Sequence, residues 1–184
     1  MKVNCVSTGG AHLLAADIAS GNTRSSIFHV KVGCEYLVYG VLFLREVVSY
    51  LIKNETGSPS WTPASLFEIK CGRPSRLWRL VNWSSADAYI CVMTFPDLIQ
   101  SQEVFDQLAL GEESAYTKFV KLSRLADLEF PDPSIKETAE IVDEHWLICP
   151  FCSEASELKT LDALIRCPAC QRLFNNPEYE VLDK

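Results

Sequence analysis

Four cysteines near the C-terminus form two pairs with the same spacing. Cys149 and Cys152 lie in the segment Cys-Pro-Phe-Cys, and Cys167 and Cys170 lie in Cys-Pro-Ala-Cys, after fourteen intervening residues. Two thiolates separated by two residues can reach one ion from a single tight turn, and two such pairs complete a tetrahedral site. The spacing therefore predicts a structural zinc ribbon with Cys149, Cys152, Cys167 and Cys170 as its ligands.

Other interpretations of these cysteines remain open from the sequence. Iron is the main competing metal, because four thiolates also suit a rubredoxin-like centre. Two disulfides or four unrelated thiols are further alternatives. His145 precedes Cys149 by four residues, but with four thiolates available we expect it to be a surface or packing residue. A metal held by four protein ligands is closed to substrate, so we expect the site to fold the segment and to do no chemistry.

Candidate catalytic residues are few. The most plausible nucleophile is Cys34, which follows His29 by five residues. Residues five apart in a strand face opposite sides, which argues against a catalytic pair, and a buried thiol at the start of a strand is the simpler interpretation. The sequence contains no phosphate-binding loop, no nucleophile elbow and no His-Glu-x-x-His segment. We therefore expect a protein that is not an enzyme.

A cluster of arginines is the one basic feature of the chain. Arg73, Arg76 and Arg79 are interleaved with Trp78 and lie close to Trp83. Arginines beside exposed aromatic rings can bind single-stranded nucleic acid by charge and stacking. The alternative, which we favour, is that Trp78 belongs to the core and that the arginines are solvated or paired with acidic residues.

Composition and charge restrict the class of protein further. The 184 residues are 48% hydrophobic and 22% charged, as in packed globular proteins. Eight cysteines, with neither a membrane-spanning apolar run nor an export signal, favour the reducing cytoplasm. Residues 127–184 carry 13 acidic and 5 basic side chains, whereas residues 1–126 are nearly balanced. Such an acidic region repels nucleic-acid phosphates and attracts basic protein partners.

The order of apolar patterns predicts an α+β chain. Residues 1–93 contain short apolar or alternating runs typical of strands, including 26–32, 35–44, 47–52 and 88–93, and predict a small antiparallel SH3-like barrel. We expect the runs 35–44 and 47–52 to be two strands joined by a tight turn. Residues 94–129 show helical spacing interrupted at Gly111, which predicts two packing helices.

The C-terminal part of the chain is divided by prolines. Residues 130–139, with Pro131 and Pro133, predict a linker, and residues 140–184 the zinc ribbon. Within the ribbon, Leu147-Ile148 and Leu164-Ile165 precede the two cysteine pairs, and we expect them to pair as strands.

Several segments between Ile27 and Leu122 resemble small bacterial proteins that act as immunity partners of secreted toxins. They are Tyr36-Leu37-Val38-Tyr39-Gly40-Val41, Tyr50-Leu51-Ile52, Pro59-Ser60-Trp61-Thr62-Pro63-Ala64-Ser65-Leu66-Phe67-Glu68-Ile69, Phe95-Pro96-Asp97-Leu98 and Phe105-Asp106-Gln107-Leu108. The resemblance assigns no functional residue, and the cysteine-rich segment is an addition to that pattern. It implies a non-catalytic protein that occludes a toxin, for which a basic toxin domain would be the partner. The alternative is a zinc-ribbon adaptor associated with nucleic acid or transcription machinery, binding through Arg73, Arg76 and Arg79.

Overall fold

A computed structural model describes residues 1–84, 89–143 and 145–179. The chain divides into two compact units, Met1–Ser123 and Arg124–Lys184. Residues 130–139, where the sequence predicts a linker, lie inside the second unit. The class is mixed α+β with antiparallel sheets, as expected. No helix among the described residues is long and apolar enough to cross a membrane.

The first unit contains seven strands and all or most of three α-helices. The strands are β1 (Lys2–Cys5), β2 (Glu35–Leu44), β3 (Val47–Lys53), β4 (Pro59–Pro63), β5 (Phe67–Cys71), β6 (Arg79–Ser84) and β7 (Tyr89–Thr94). The helices are α1 (Ala15–Ala19), α2 (Gln102–Ala109) and α3 (Glu113–Asp127), whose last residues belong to the second unit. Gly111, at φ 74°, separates α2 from α3, so the predicted helix break is confirmed.

Strand β2 organises the sheet of the first unit. One edge pairs with β3, whereas the other pairs first with β1, through Glu35–Leu37, and then with β7, through Gly40–Leu44. The strand order is β4-β3-β2-β1-β5, with β7 and β6 branching from β2. Among the described strands the two ends, β4 and β5, do not pair with each other, so the sheet stays open and the predicted SH3-like barrel is not confirmed.

Two local predictions for this sheet have different outcomes. The predicted hairpin of β2 and β3 is confirmed, with a tight turn at Arg45, which has φ 54°. The predicted strand at 26–32 is wrong, since that segment makes only an isolated bridge between Gly9 and Ile27. Ala88, where the last strand was predicted to begin, lies outside the described residues.

Helix α2 covers one face of the sheet through an aromatic cluster. The Phe105 ring lies between Trp61 of β4 and Trp83 of β6, with ring centroids 5.7 and 5.6 Å away. Val92 and Ile99 complete this buried cluster. Helix α3 contacts the sheet at another point, where the rings of Phe119 and Tyr39 pack edge-on with their centroids 5.3 Å apart.

The second unit consists of two small sheets. One has the order β10-β9-β8 and the other pairs β11 with β12; the strands are β8 (Glu140–Asp143), β9 (Trp146–Ile148), β10 (Ala155–Glu157), β11 (Leu164–Arg166) and β12 (Leu173–Asn175). The expectation that Leu147-Ile148 pairs with Leu164-Ile165 is wrong. Each segment instead forms a ladder with residues on the far side of its own cysteine pair, β9 with β10 and β11 with β12.

Candidate metal centre

The structure brings the four predicted ligands together. The Sγ atoms of Cys149, Cys152, Cys167 and Cys170 all lie within 4.8 Å of one another. The Sγ atoms of Cys149 and Cys170 are 3.8 Å apart, and those of Cys152 and Cys167 are 3.6 Å apart. Four sulfurs about 2.3 Å from a central ion in a tetrahedron would be about 3.8 Å from each other. The donor set therefore fits one metal ion.

A disulfide interpretation does not fit this geometry. Bonded sulfurs are about 2.05 Å apart, well below the distances in the cluster. All eight cysteines of the chain are free thiols in the structure. The cluster is therefore a set of four thiols, which together could hold a metal ion.

The two cysteine pairs form matching turns. In the first, Ser153 N–H donates to the Cys149 carbonyl at 3.0 Å, and in the second, Gln171 N–H donates to the Cys167 carbonyl at 3.0 Å. Ser153 and Gln171 both adopt positive φ, 59° and 61°. This left-handed residue closes each turn and lets the chain return as a strand.

Strand ladders fix the first cysteine of each turn. Cys149 N–H donates to the Glu154 carbonyl at 2.9 Å, and Cys167 N–H donates to the Arg172 carbonyl at 3.0 Å. Each turn is therefore the tip of a short hairpin, β9–β10 or β11–β12. The hairpins belong to different sheets among the described strands, and the cysteines bring together two elements whose backbones are otherwise linked by an isolated bridge between Thr138 and Asn175.

Packing around the sulfurs is small but continuous. Cys149 and Cys167 belong to the same buried cluster as Leu147 and Phe174. Arg172 places its guanidinium carbon 3.5 Å from the centre of the Phe151 ring. This cation–π contact joins the two turns, since Phe151 lies within the first and Arg172 follows the second.

The cluster is electrostatically uneven. A hydrogen bond from the backbone N–H of Cys170, at 3.4 Å, is the main influence that lowers the pKa of Cys167 to about 7. For Cys152 the backbone N–H of Glu154 also lowers the pKa, but burial and hydrogen bonds with Cys167, Cys170 and Cys149 together raise it to about 12. Cys167 is therefore the favoured place for negative charge when no cation is bound.

The remaining sequence candidates lie apart from the cysteine cluster. His145 is exposed and does not join it. His29 is exposed and Cys34 half-buried, and no hydrogen bond joins these two described residues.

Trp78 in the arginine cluster is only 5% exposed, and Arg79 donates to the carbonyls of Trp78 and Arg76 at 2.8 and 3.4 Å. The indole at the centre of this cluster is therefore not available for stacking on a base.

Sequence reasoning missed two contributors to the centre. The residues at positive φ, Ser153 and Gln171, carry no signal in their own types, although each directly follows the second cysteine of a pair. The contact of Arg172 with Phe151 has a weak signal, since Phe151 directly precedes Cys152 and Arg172 lies two residues after Cys170. Comparison with protein-family models, with curated proteins and with solved structures gave no match.

Proposed function

We propose that this chain is a non-catalytic protein-binding protein whose second unit is folded around one zinc ion. The observation that carries the proposal is the four-thiolate cluster, because protein atoms fill every position of a tetrahedral site. A saturated site leaves no position for water or substrate. The ion would therefore shape a surface and take no part in a reaction.

Zinc is the metal that best suits this role. It is the usual ion of closed four-cysteine sites and has no redox chemistry of its own. Eight free thiols support a reducing compartment, which we take to be the cytoplasm. Elemental analysis of purified protein should give one zinc per chain; one iron per chain, with thiolate-to-iron charge-transfer absorption, would replace this assignment.

The charge of the second unit supports a basic protein as the partner. Residues 127–184 hold 13 acidic and 5 basic side chains. Such a surface speeds the approach of a basic partner and can imitate the phosphates that a basic nuclease binds. With the resemblance of residues 27–122 to immunity partners of toxins, it favours occlusion of a toxin domain as the activity.

The nucleic-acid adaptor is less well supported. It would need the arginines around Trp78, but that indole is buried and Arg79 is engaged with backbone carbonyls. Base stacking requires an exposed ring. We therefore retain the protein-binding proposal as the leading one.

Affinity capture and protection test the proposed function together. Tagged protein purified from its native host should retain a basic protein partner that elutes as salt rises, since screening weakens the attraction. Co-expression should also relieve the toxicity of a toxin encoded by a neighbouring gene. Cys167→Ser, which should lose the ion and unfold the second unit, should neither retain the partner nor protect. Failure to recover a partner, together with failure to protect, would rule the proposal out.

A further inference from the structure

The sheet of β10, β9 and β8 has an outer face that its own unit does not cover. Leu147, in the middle of β9, is 1% exposed and belongs to the core of the second unit. Its neighbour Trp146 must point to the opposite side, because successive strand residues alternate. Trp146 is 49% exposed, so about half of its side chain is open to a partner.

Acidic side chains flank this indole on both neighbouring strands. Trp146 stands opposite Glu157 on β10 and opposite Asp143 on β8. Residues directly opposite in antiparallel strands share a face, with Cβ atoms about 5 Å apart. An exposed aromatic ring therefore lies between two carboxylates.

A bulge in β8 widens the apolar part of the face. The register shifts between Ile141 and Asp143, so that Val142 is the extra residue opposite β9. Val142 is 60% exposed. Glu140, opposite Ile148, shares the side of Trp146 because Trp146 and Ile148 are two apart in one strand. We call the set Glu140, Val142, Asp143, Trp146 and Glu157 the Trp146 face.

The protein already places one cation on the Trp146 face. Lys159 Nζ lies 2.8 Å from Glu157 Oε2, with both side chains largely exposed at 74% and 50%. An exposed pair of this kind is weak and is readily exchanged for another cation. Glu157 therefore marks a position where an incoming ammonium or guanidinium can sit beside the indole.

We propose that the Trp146 face docks an arginine-containing basic segment of a partner protein. A guanidinium stacks on the indole by a cation–π contact and is paired by the carboxylates on either side. Val142 accepts the aliphatic stem of a neighbouring side chain. This inference rests on the proposed protein-binding function and names the surface that carries it.

Titration of full-length, zinc-loaded, ¹⁵N-labelled protein with capped octa-arginine tests the proposal. We expect a saturable shift of the Trp146 indole N–H and of amides in β8, β9 and β10. Trp146→Leu, which keeps an apolar strand residue but removes the π face, should bind about tenfold more weakly. Lys159→Ala should bind more tightly, because it removes the competing cation. Retention of one zinc per chain shows that each variant is folded.

The controls separate specific docking from general attraction. Tyr89→Leu removes an exposed aromatic ring of the first unit, 56% exposed, and should bind like the wild type. Octa-citrulline has the same length without charge and should not bind. Equal binding of the wild type and Trp146→Leu, equal binding of octa-citrulline, or tighter binding of a ten-residue oligothymidylate at this face would overturn the proposal.

Capture of the partner from the native host distinguishes failure of the surface assignment from failure of the proposed protein-binding function. If Trp146→Leu recovers the same partner as the wild type, the surface assignment fails and the proposed function stands. If octa-arginine binds at Trp146 but neither protein recovers a partner or protects cells, the proposed function fails and the cation-binding face stands.

Discussion

Thr94 donates a 2.7 Å hydrogen bond from its Oγ1 to the main-chain carbonyl of Tyr39, and both residues are buried. Tyr39 lies at the irregularity in β2, where the strand changes its partner from β1 to β7. The Thr94 hydroxyl therefore supplies a hydrogen-bond donor for a buried backbone carbonyl at the point where the regular ladder is interrupted.

Thr94→Val should destabilise the first unit by about 1–2 kcal/mol. The substitution preserves the side-chain shape but removes the donor to a buried carbonyl. Denaturant unfolding followed by tryptophan fluorescence measures the change. Thr117→Val, at an exposed position of α3, is the matched control, and an equal loss in both variants would contradict the role of the hydroxyl.

Gly40→Ala should destabilise the same region by about 1–3 kcal/mol through overpacking. A Cβ at residue 40 would lie 2.8 Å from Cβ and Oγ1 of Thr94, closer than atoms of these types approach. Gly9→Ala is the control, because a Cβ there meets nothing within 4 Å and its φ is −120°. Thermal unfolding should separate the two variants, and similar melting temperatures would argue against the close approach.

Phe105→Ala should lower the free energy of unfolding by about 3–5 kcal/mol, the usual range for removing a buried aromatic ring. The cavity would open between Trp61 and Trp83, so their fluorescence should also shift to longer wavelength. Leu110→Ala, at a position 78% exposed, should change stability by less than about 0.5 kcal/mol. A loss in Phe105→Ala no larger than in this control would remove α2 from the core.

Cys167→Ser should abolish metal binding and unfold the second unit. Its two hairpins belong to separate sheets and, besides the isolated bridge between Thr138 and Asn175, share a small core, so we expect these contacts alone not to hold the unit together without the ion. Elemental analysis should show about one zinc per chain falling to near none, and limited proteolysis should cleave after residue 124. Cys91→Ser, in β7, should keep the metal; a protease-resistant, metal-free Cys167→Ser protein would contradict the assignment.

Zinc affinity should fall as pH decreases, and more steeply below about pH 7. Thiols must lose their protons to bind the ion, so protons compete with zinc. Because the pKa of Cys167 is lowered to about 7, this ligand is already a thiolate above that pH. Below that pH Cys167 is protonated as well, so one more proton must be released for each zinc ion bound. Titration against a chromophoric chelator between pH 6 and 8 measures the slope. An affinity independent of pH would exclude thiolate ligation.

The parts of the structure that follow from local sequence were predictable. The cysteine pairs were recognised because two ligands in one turn need only a two-residue spacing, and the helix break because Gly111 tolerates positive φ. The double role of β2 was not predictable, since it depends on pairing with β1 and β7, which are distant in sequence. Leu147 and Leu164 have the expected strand character, but each pairs locally across its own cysteine turn, whereas the predicted pairing would have joined the two turns.

The divided pairing of β2 has a consequence for synthesis on the ribosome. Residues Gly40–Leu44 of β2 can pair with β7 only after some fifty further residues have been translated. Until then an apolar strand edge with unpaired N–H and C=O groups is open to other chains, the arrangement that promotes aggregation. Slow elongation between residues 44 and 94 should therefore lower the yield of native protein, and chaperones that shield extended apolar segments should restore it.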